Sequence, residues 1–434
     1  MNIDAPQKRP SVTEPVAHRL PAKQVAAVVT GNAIEFYDFV TYAFFAAQIG
    51  RTFFPSDTPG SSLLASLATF GAGFLTRPLG AYVIGRYADR AGRKPAMLLS
   101  FWLMGIGVTA LPLVPSYASI GMAAPLLVIG LRLLQGFALG GEVGPNTAFL
   151  MEAAPAQRRG FYVSMQATSA DVAVMAAGLV GVALAHHLDS AELDAWGWRA
   201  ALLPGAIIVP FGLYLRRSLG ETLHRAPQAP RPAGAAPSYL RIGLVSIMLL
   251  ATATTNNYLL TYMTTYANST LGMPERLAFW ATVAVGAAGL VCNPLAGWLS
   301  DRFGRRRLIL WPWVICGLLV FPGFWMIEHY RNAPALWTAC AVLGGASTMA
   351  GTTALVSITE LLPRHVRAGG FGLIYASSIA LFGGSAQFMA AWLTRLTGNP
   401  LVPAWYMLVM LTAGLLALAL LRETAPARAV AAAD

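Results

Sequence analysis

Long apolar runs alternate regularly with short polar gaps along this chain, and this pattern limits the folds that it can adopt. A helix needs about 20 mostly apolar residues to cross the hydrocarbon core of a bilayer, and twelve runs in the 434 residues approach that length. They lie at residues 24–48, 61–84, 96–115, 121–150, 161–185, 199–215, 241–267, 277–299, 307–327, 335–361, 370–395 and 402–421, numbered below as spans one to twelve. Because unpaired backbone groups are costly in lipid, the runs predict an all-α integral membrane protein with twelve transmembrane helices.

Composition agrees with that reading. Charged residues make up 11% of the chain, whereas a soluble domain carries about 25%. The net charge of +11 does not indicate a nucleic-acid partner, because the basic residues are scattered through the polar gaps. The three cysteines are odd in number and form no CxxC pair, so they predict neither a disulfide framework nor a zinc site.

A polar segment separates span six from span seven. Residues 218–238, SLGETLHRAPQAPRPAGAAPS, are rich in Pro, Ala and Arg and have no apolar period, which is typical of a linker. The chain is therefore predicted to consist of a cytoplasmic tail at 1–22, a six-helix bundle at 23–216, a cytoplasmic linker at 217–240, a six-helix bundle at 241–422 and a cytoplasmic tail at 423–434.

The distribution of Lys and Arg predicts the orientation. If the N-terminus is cytoplasmic, the outer gaps hold only five of the 30 basic residues, namely Arg51, Arg199, Arg276, Arg331 and Arg395. Positive charge accumulates on the cytoplasmic side of membrane proteins, so both termini are predicted to face the cytoplasm of a cell (inner) membrane. The polar N-terminus lacks the pattern of a cleaved signal peptide.

Two polar gaps of the first half recur in the second half. GRYADRAGRK at 85–94 returns as GWLSDRFGRR at 297–306, and EAAPAQRRGF at 152–161 returns as ELLPRHVRAGGF at 360–371. The first pair follows spans two and eight, and the second pair follows spans four and ten. Two repeats in equivalent places predict an internal duplication, which is how many secondary transporters are built around a site near the membrane midplane.

The residue types of the first repeat predict a latch. Glycine allows two helix ends to approach closely, an Asp can accept backbone N–H bonds at a helix start, and Arg can pair with carboxylates across the bundle. The predicted cytoplasmic gate comprises Gly85, Asp89, Arg93, Asp301 and Arg305. The alternative is that these residues only anchor a tight turn at the positively charged face.

In span four, Gly136, Gly140 and Gly144 predict a small-residue stripe against another helix.

Several charged residues fall inside predicted spans, where an ionised side chain costs roughly 2.5 to 3.5 kcal/mol and needs a partner or a watery cavity. The acids predicted to couple protons are Glu35, Asp38, Glu142 and Asp171. Glu35 and Asp38 lie three residues apart on one helix face, so they can exchange a proton or bind one Arg. Arg77 and Arg132 cannot release protons and are predicted to bind an anionic substrate or to neutralise the acids. The alternative is a set of static ion pairs.

Polar side chains in span seven are predicted to line the substrate path together with one in span five. TTNNYLLTYMTTY, 254–266, interrupts an apolar run. The predicted substrate-binding residues, besides the two arginines, are Gln166, Asn256, Asn257, Tyr258 and Tyr262. Hydrogen bonding between helices is the alternative explanation.

These motifs resemble a known family. The loop Gly-x-x-x-Asp-Arg-x-Gly-Arg-Lys/Arg resembles the signature of the major facilitator superfamily, and RLLQG at 132–136 resembles its fourth-span motif. GNAIEFYDF at 31–39, FLTRPLGAYVIGRYADRAGRK at 74–94 and the segment 132–161 are similar to the metabolite:proton symporters, whose members carry citrate, alpha-ketoglutarate, shikimate and proline or betaine. The whole chain is most similar to the citrate and tricarballylate members. The resemblance implies two six-helix bundles in the major facilitator fold.

Taken together, these features predict a proton symporter that imports a small organic anion by alternating access. The predicted substrate is a di- or tricarboxylate, for example citrate. Other metabolites of the family, including monocarboxylates and zwitterions, stay open as substrates. No Lys follows a Gly, which excludes a Walker A loop, and the six His lie outside the spans, which argues against an enzyme or a metal site. No cofactor is expected, and the predicted partners are the organic acid, protons and lipid, with the chain a monomer. A membrane sensor is a weaker alternative.

Overall fold

The computed structural model describes residues 22–58, 60–91, 93–211, 239–363, 367–421 and 423–425. Within these ranges the regular structure is helical, without a β-strand. The predicted tail at 1–22 and the predicted linker at 217–240 lie almost wholly outside the described residues, as does most of the C-terminal tail.

Eight described helices are long and apolar enough to cross a membrane, and they coincide with spans four, five and seven to twelve. Their bounds are Ala123–Gly140, Arg159–His187, Leu240–Thr270, Glu275–Phe303, Arg305–Tyr330, Ala333–Leu361, Gly369–Thr397 and Val402–Ala419. Several helices are longer than the predicted apolar runs, because their ends extend into the polar gaps. Span three is the shorter helix Arg93–Ala110.

Other predicted spans are interrupted. Span one consists of helices Ala22–Phe44 and Ala46–Phe53, and span two of Ser61–Leu75 and Arg77–Ala91. The second break has a local cause, because Pro78 has no N–H to donate to the Phe74 carbonyl.

Span four is likewise interrupted, and it continues after Gly140 as helix Val143–Ala153. Pro145 cannot donate to the carbonyl of Gly141, which explains the break. Span six begins with the short helix Trp198–Leu202 and a 3-10 turn at Leu203–Ile207.

Glycines bring helices of the first half together. A Cβ atom at Gly136 would lie 1.5 Å from the Gly73 carbonyl oxygen, and one at Gly140 would lie 2.1 Å from that of Arg77. Neither distance is sterically possible, so spans two and four pack backbone against backbone. The stripe predicted from the sequence is confirmed at these two positions.

The two halves meet along several pairs of spans, and glycines bring two of these pairs into close contact. Span five lies against span eight, where a Cβ at Gly286 would come within 2.6 Å of the Met175 nitrogen. Span two lies against span eleven, where a Cβ at Gly71 would come within 2.6 Å of the Gly384 oxygen. One apolar core runs through both halves. The interrupted spans one, two and four also contact the second half.

Candidate functional site

Arg132 of span four and Asp38 of span one form an ion pair inside the first half. The Arg132 Nη1 atom lies 3.6 Å from Asp38 Oδ2, and both side chains are almost fully buried. The same Nη1 donates a hydrogen bond of 2.6 Å to Gln135, and the guanidinium carbon lies 3.8 Å from the centre of the Tyr42 ring. The carboxylate oxygens of Asp38 accept no hydrogen bond from the described part of the chain, so the pair is loose and its members can change partners.

Arg77 of span two is buried and forms no hydrogen bond with the residues that the structure describes. Its side chain is 1% exposed, and none of its three guanidinium nitrogens forms a hydrogen bond with the residues that the structure describes. The guanidinium carbon lies 4.4 Å from the ring centre of Phe74 and 4.9 Å from that of Phe39. A buried guanidinium supplies five N–H donors, so this group can bind an anion such as a carboxylate.

An aromatic enclosure surrounds the two arginines. Phe39 lies between them, with the Arg132 guanidinium carbon 5.4 Å from its centre, and it packs against Phe70 and Phe74 at 4.8 and 4.6 Å. Tyr258, which belongs to the second half, closes the group at 5.3 Å from Phe74. The structure thus brings three predicted substrate residues, Arg77, Arg132 and Tyr258, to one place between the halves.

The acids of span one have different partners. Glu35 is buried, and its carboxyl group makes a hydrogen-bond contact with that of Glu142 and interacts with the charge of Arg77. Asp38 instead faces Arg132. Two carboxyl groups share a hydrogen bond only if one of them carries a proton. The Glu35–Glu142 pair is therefore the arrangement through which this part of the site can hold a proton.

Asp171 lies apart from the arginines, at the contact between spans five and eight. Its Oδ2 accepts a hydrogen bond of 2.6 Å from Asn293, and the Asn293 side-chain oxygen accepts one from the Thr352 hydroxyl. All three side chains are buried. The predicted proton-coupling acids thus occupy two separate places.

The remaining predicted substrate residues do not contact the two arginines in any described hydrogen bond. Gln166 accepts a 2.6 Å hydrogen bond from Thr147, and Asn256 donates to the carbonyl of Thr252 in its own helix. Tyr262 is buried, with its ring 6.5 Å from that of Tyr266. Asn257 is half-buried.

At the ends predicted to be cytoplasmic, the second copy of the repeated loop joins the halves. Asp301 accepts hydrogen bonds of 2.9 and 3.1 Å from the backbone N–H groups of Gly160 and Phe161 at the start of span five. Arg305 is fully buried and pairs with Asp301 at 2.8 Å and with Glu360 at 2.9 Å.

The first copy of the loop is described only in part. The side chains of Asp89 and Arg93 lie outside the described atoms. Among the residues that the structure describes, the close approach expected at Gly85 is not present, because a Cβ there would meet none of their atoms within 4 Å. At the equivalent Gly297 a Cβ would lie 2.7 Å from the Gly160 oxygen. The steric reason given for glycine therefore applies to the second copy, where the halves touch.

Two groups of site residues were missed from the sequence. Phe70, Phe74 and Arg77 follow the i, i+4, i+7 spacing of one helix face, and this signal could have identified the aromatic neighbours of Arg77. Asn293 is a single amide in the apolar run of span eight. Intramembrane polarity marks it as a candidate, but only the fold shows that it faces Asp171.

Comparison with known proteins gives consistent results. The family model of the Major Facilitator Superfamily matches residues 28–385. A citrate-proton symporter of Klebsiella pneumoniae is 36% identical over 402 residues, covering 91% of this chain and 90% of the relative. An alpha-ketoglutarate permease of Escherichia coli is 34% identical over 394 residues, covering 89% and 90%. The solved structure of a proton:xylose symporter, XylE, superimposes with a TM-score of 0.76 at 17% identity, covering 92% of this chain and 95% of that one, which identifies the fold.

Proposed function

Since the chain belongs to the Major Facilitator Superfamily, we propose that it is a secondary active transporter that imports a small organic anion together with protons. The proposed substrate is a di- or tricarboxylate such as citrate. Relatives at 34 to 36% identity are named as citrate-proton symporters and as an alpha-ketoglutarate permease, and each spans nearly the whole chain. They are transporters, and the chain is not an enzyme.

The observation that carries the proposal is Arg77, a buried cation whose guanidinium nitrogens have no hydrogen-bond partner in the described chain. Burying such a group is costly unless it is paired. Arg presents a planar fork that binds a carboxylate through two parallel hydrogen bonds. Arg77 would therefore hold one carboxylate of the substrate, with the rings of Phe39 and Phe74 excluding water around the contact.

Arg132 offers a route for proton coupling. Its contact with Asp38 is long, at 3.6 Å, and a second substrate carboxylate would compete with Asp38 for the same guanidinium. A proton on Asp38 removes the competing negative charge and frees Arg132 for substrate. Proton and substrate then bind together, which is the requirement for symport. Glu35 and Glu142 would hold a further proton beside Arg77.

A narrower choice among organic acids rests on the number of arginines. Two guanidinium groups near Phe39 favour a ligand with at least two carboxylates, which citrate and alpha-ketoglutarate share. A shikimate transporter and a proline/betaine transporter of Escherichia coli are also relatives, at 32% identity each. A monocarboxylate or zwitterion is the second candidate, and it would apply if Arg132 stays with Asp38 throughout the cycle.

The proposal also covers the membrane in which the chain lies, its orientation and its cytoplasmic gate. The chain is a multi-pass membrane protein, and we place it in the inner membrane with both termini in the cytoplasm, as a monomer without a cofactor. The contacts of Asp301 with the start of span five would form a cytoplasmic gate. The halves would rock about the site and break these contacts when the cytoplasmic side opens.

Uptake of radiolabelled citrate into proteoliposomes under an inward pH gradient tests the proposal. We expect accumulation that a proton ionophore abolishes, that unlabelled tricarballylate inhibits, and that is lost in Arg77→Gln and Arg132→Gln. A matched control is Arg199→Gln, which removes an arginine of the outer gap that binds the Pro112 and Val114 carbonyls. Accumulation of a monocarboxylate or betaine in place of citrate and alpha-ketoglutarate would overturn the assignment to di- and tricarboxylates.

A further inference from the structure

We propose that Asp171 is a second proton-binding site, placed at the contact between the two halves, and that Asn293 positions its carboxyl group there. This site would govern the reorientation of the halves and not the binding of substrate. The inference rests on the proposed function, because it assigns to Asp171 one of the protons that drive uptake.

The three residues form a chain of hydrogen bonds across three helices. Asp171 belongs to span five of the first half, and it accepts a 2.6 Å hydrogen bond from Asn293 of span eight in the second half. Thr352 of span ten donates in turn to the Asn293 side-chain oxygen. The amide of Asn293 is therefore held at both ends, which fixes its N–H group toward the carboxyl group.

The backbone of span eight is shaped around this carboxyl group. A Cβ atom at Gly289 would lie 1.9 Å from Asp171 Oδ2, and one at Gly286 would lie 2.9 Å from the Asp171 carbonyl oxygen. Any larger residue at position 289 would displace the acid. The close packing leaves the Asp171 side chain 6% exposed, so water reaches it only if spans five and eight separate.

The electrostatic environment of Asp171 links its protonation to the contact between spans five and eight. No Lys or Arg of the described chain forms an ion pair with Asp171. Cys292 of span eight is a titratable group that interacts electrostatically with Asp171. Thr352 of span ten is linked to Asp171 through Asn293. The acid Asp38 of span one is paired with Arg132. A buried carboxylate with no cation is unfavourable, whereas the neutral acid is tolerated.

It follows that the closed contact favours the protonated acid and that separation of the halves allows the ionised form. On the side where spans five and eight open, a carboxylate oxygen of Asp171 would take a proton from water. The halves would then close around the neutral acid. Opening toward the other side would return the proton to water there. Proton movement through Asp171 is thereby tied to rocking, at a distance from the arginines that bind substrate.

Two assays on the full-length protein in proteoliposomes separate this role from a structural one. The first measures accumulation driven by a pH gradient, and the second measures exchange of external labelled for internal unlabelled substrate without a gradient. The probes are radiolabelled citrate and radiolabelled alpha-ketoglutarate. Asp171→Asn keeps the size of the side chain and its neutral state but binds no proton. We expect it to lower accumulation by about tenfold or more while exchange stays within about twofold of the wild type.

A second variant tests the positioning role. Asn293→Ala leaves the acid in place and removes its donor, and we expect the pH midpoint of accumulation to move by about one unit. Cys292→Ser, one residue away on the same helix, is the control and is expected to keep the wild-type profile. If Asp171→Asn accumulates substrate as the wild type does, the inference is wrong. If that variant loses both activities, the Asn293→Ala profile decides, and an unshifted midpoint would overturn the inference. Wild-type vesicles that accumulate neither anion would refute the proposed function and this inference with it.

Discussion

Replacing Arg77 with Met is expected to weaken substrate binding strongly without destabilising the protein. The reason is that the guanidinium group is buried, at 1% exposure, and has no hydrogen-bond partner in the described residues. Its described interactions are an electrostatic attraction to Glu35 and cation–π contacts with Phe39 and Phe74 at 4.9 and 4.4 Å. A buried cation without a hydrogen bond lowers the stability of a protein, and its retention indicates a role in function.

The magnitude follows from those contacts. Loss of two desolvated cation–π contacts costs about 1 to 2 kcal/mol each. Removal of a buried cation that forms no hydrogen bond with the described residues recovers a desolvation penalty of several kcal/mol, part of which is offset by the lost attraction to Glu35. The free energy of unfolding is therefore expected to stay unchanged or to rise by about 1 to 3 kcal/mol. Substrate binding loses a desolvated charge pair, about 2 to 5 kcal/mol, which corresponds to an increase in Kd of about 30-fold to several thousand-fold.

Arg305 provides a matched control because it is equally buried but fully paired. It forms ion pairs with Asp301 and Glu360 at 2.8 and 2.9 Å. Arg305→Met leaves two buried carboxylates without a cation, so we expect a loss of about 3 to 5 kcal/mol. If burial alone determined the free energy of unfolding, both substitutions would change it in the same way. The different partners of the two arginines predict that only Arg305→Met lowers it.

The assay compares thermal unfolding of the wild type, Arg77→Met and Arg305→Met in detergent, followed by tryptophan fluorescence, with citrate binding measured on the same samples. Citrate is expected to raise the unfolding temperature of the wild type but not of Arg77→Met. A fall in the unfolding temperature of Arg77→Met as large as that of Arg305→Met would refute the reasoning. Undiminished citrate binding by Arg77→Met would refute the anchor role.

Three further outcomes are expected. Asp38→Asn mimics the protonated acid, so we expect exchange of labelled for unlabelled citrate to persist while accumulation driven by a pH gradient falls about tenfold or more; retained accumulation would contradict the coupling role. Gly136→Ala forces a Cβ into the 1.5 Å approach of spans two and four, and it is expected to lower the free energy of unfolding by about 1 to 3 kcal/mol, whereas Gly130→Ala on the same helix, with nothing within 4 Å, is expected to be neutral or stabilising in the same thermal scan. Glu423 loses solvation by burial, which raises its pKa, but the backbone N–H groups of Arg305, Ala425, Arg306 and Thr424 outweigh this effect and leave the pKa below its ordinary value of 4.5. The attachment it provides is therefore present above that value and is lost as the pH falls below it. Proteolysis of the C-terminal segment should accelerate in acid for the wild type and be insensitive to pH in Glu423→Gln, and an equal acid response in both would contradict the assignment.

Close packing between helices could be predicted in part. The four-residue spacing of Gly136 and Gly140 in an apolar run is readable without coordinates, because small residues on one face allow a neighbouring helix to approach. The structure supplies the partner, which is span two. Gly85 shows the limit of this reasoning, since the same residue type in a repeated motif has no atom of the described residues within 4 Å of its Cβ position.

The candidate site could be predicted as residue types but not as an arrangement. Glu35, Asp38, Arg77 and Arg132 stand out because charge is expensive inside an apolar run. Their pairing did not follow from spacing. Glu35 and Asp38 share a helix face, yet one meets Glu142 and the other meets Arg132, because helices from different parts of the chain supply the partners.

Hydrophobic length, charge bias and internal repetition are properties of order along the chain. The class of the protein, the positions of most helices and the division into two related halves could therefore be predicted without coordinates. Which charged side chains form ion pairs depends on how the helices pack. Arg77 and Arg305 are both arginines near polar motifs, but Arg77 lies among aromatic rings without a hydrogen bond to the described residues, whereas Arg305 lies between two carboxylates. That difference depends on distances between residues remote in sequence, which packing fixes and spacing does not encode.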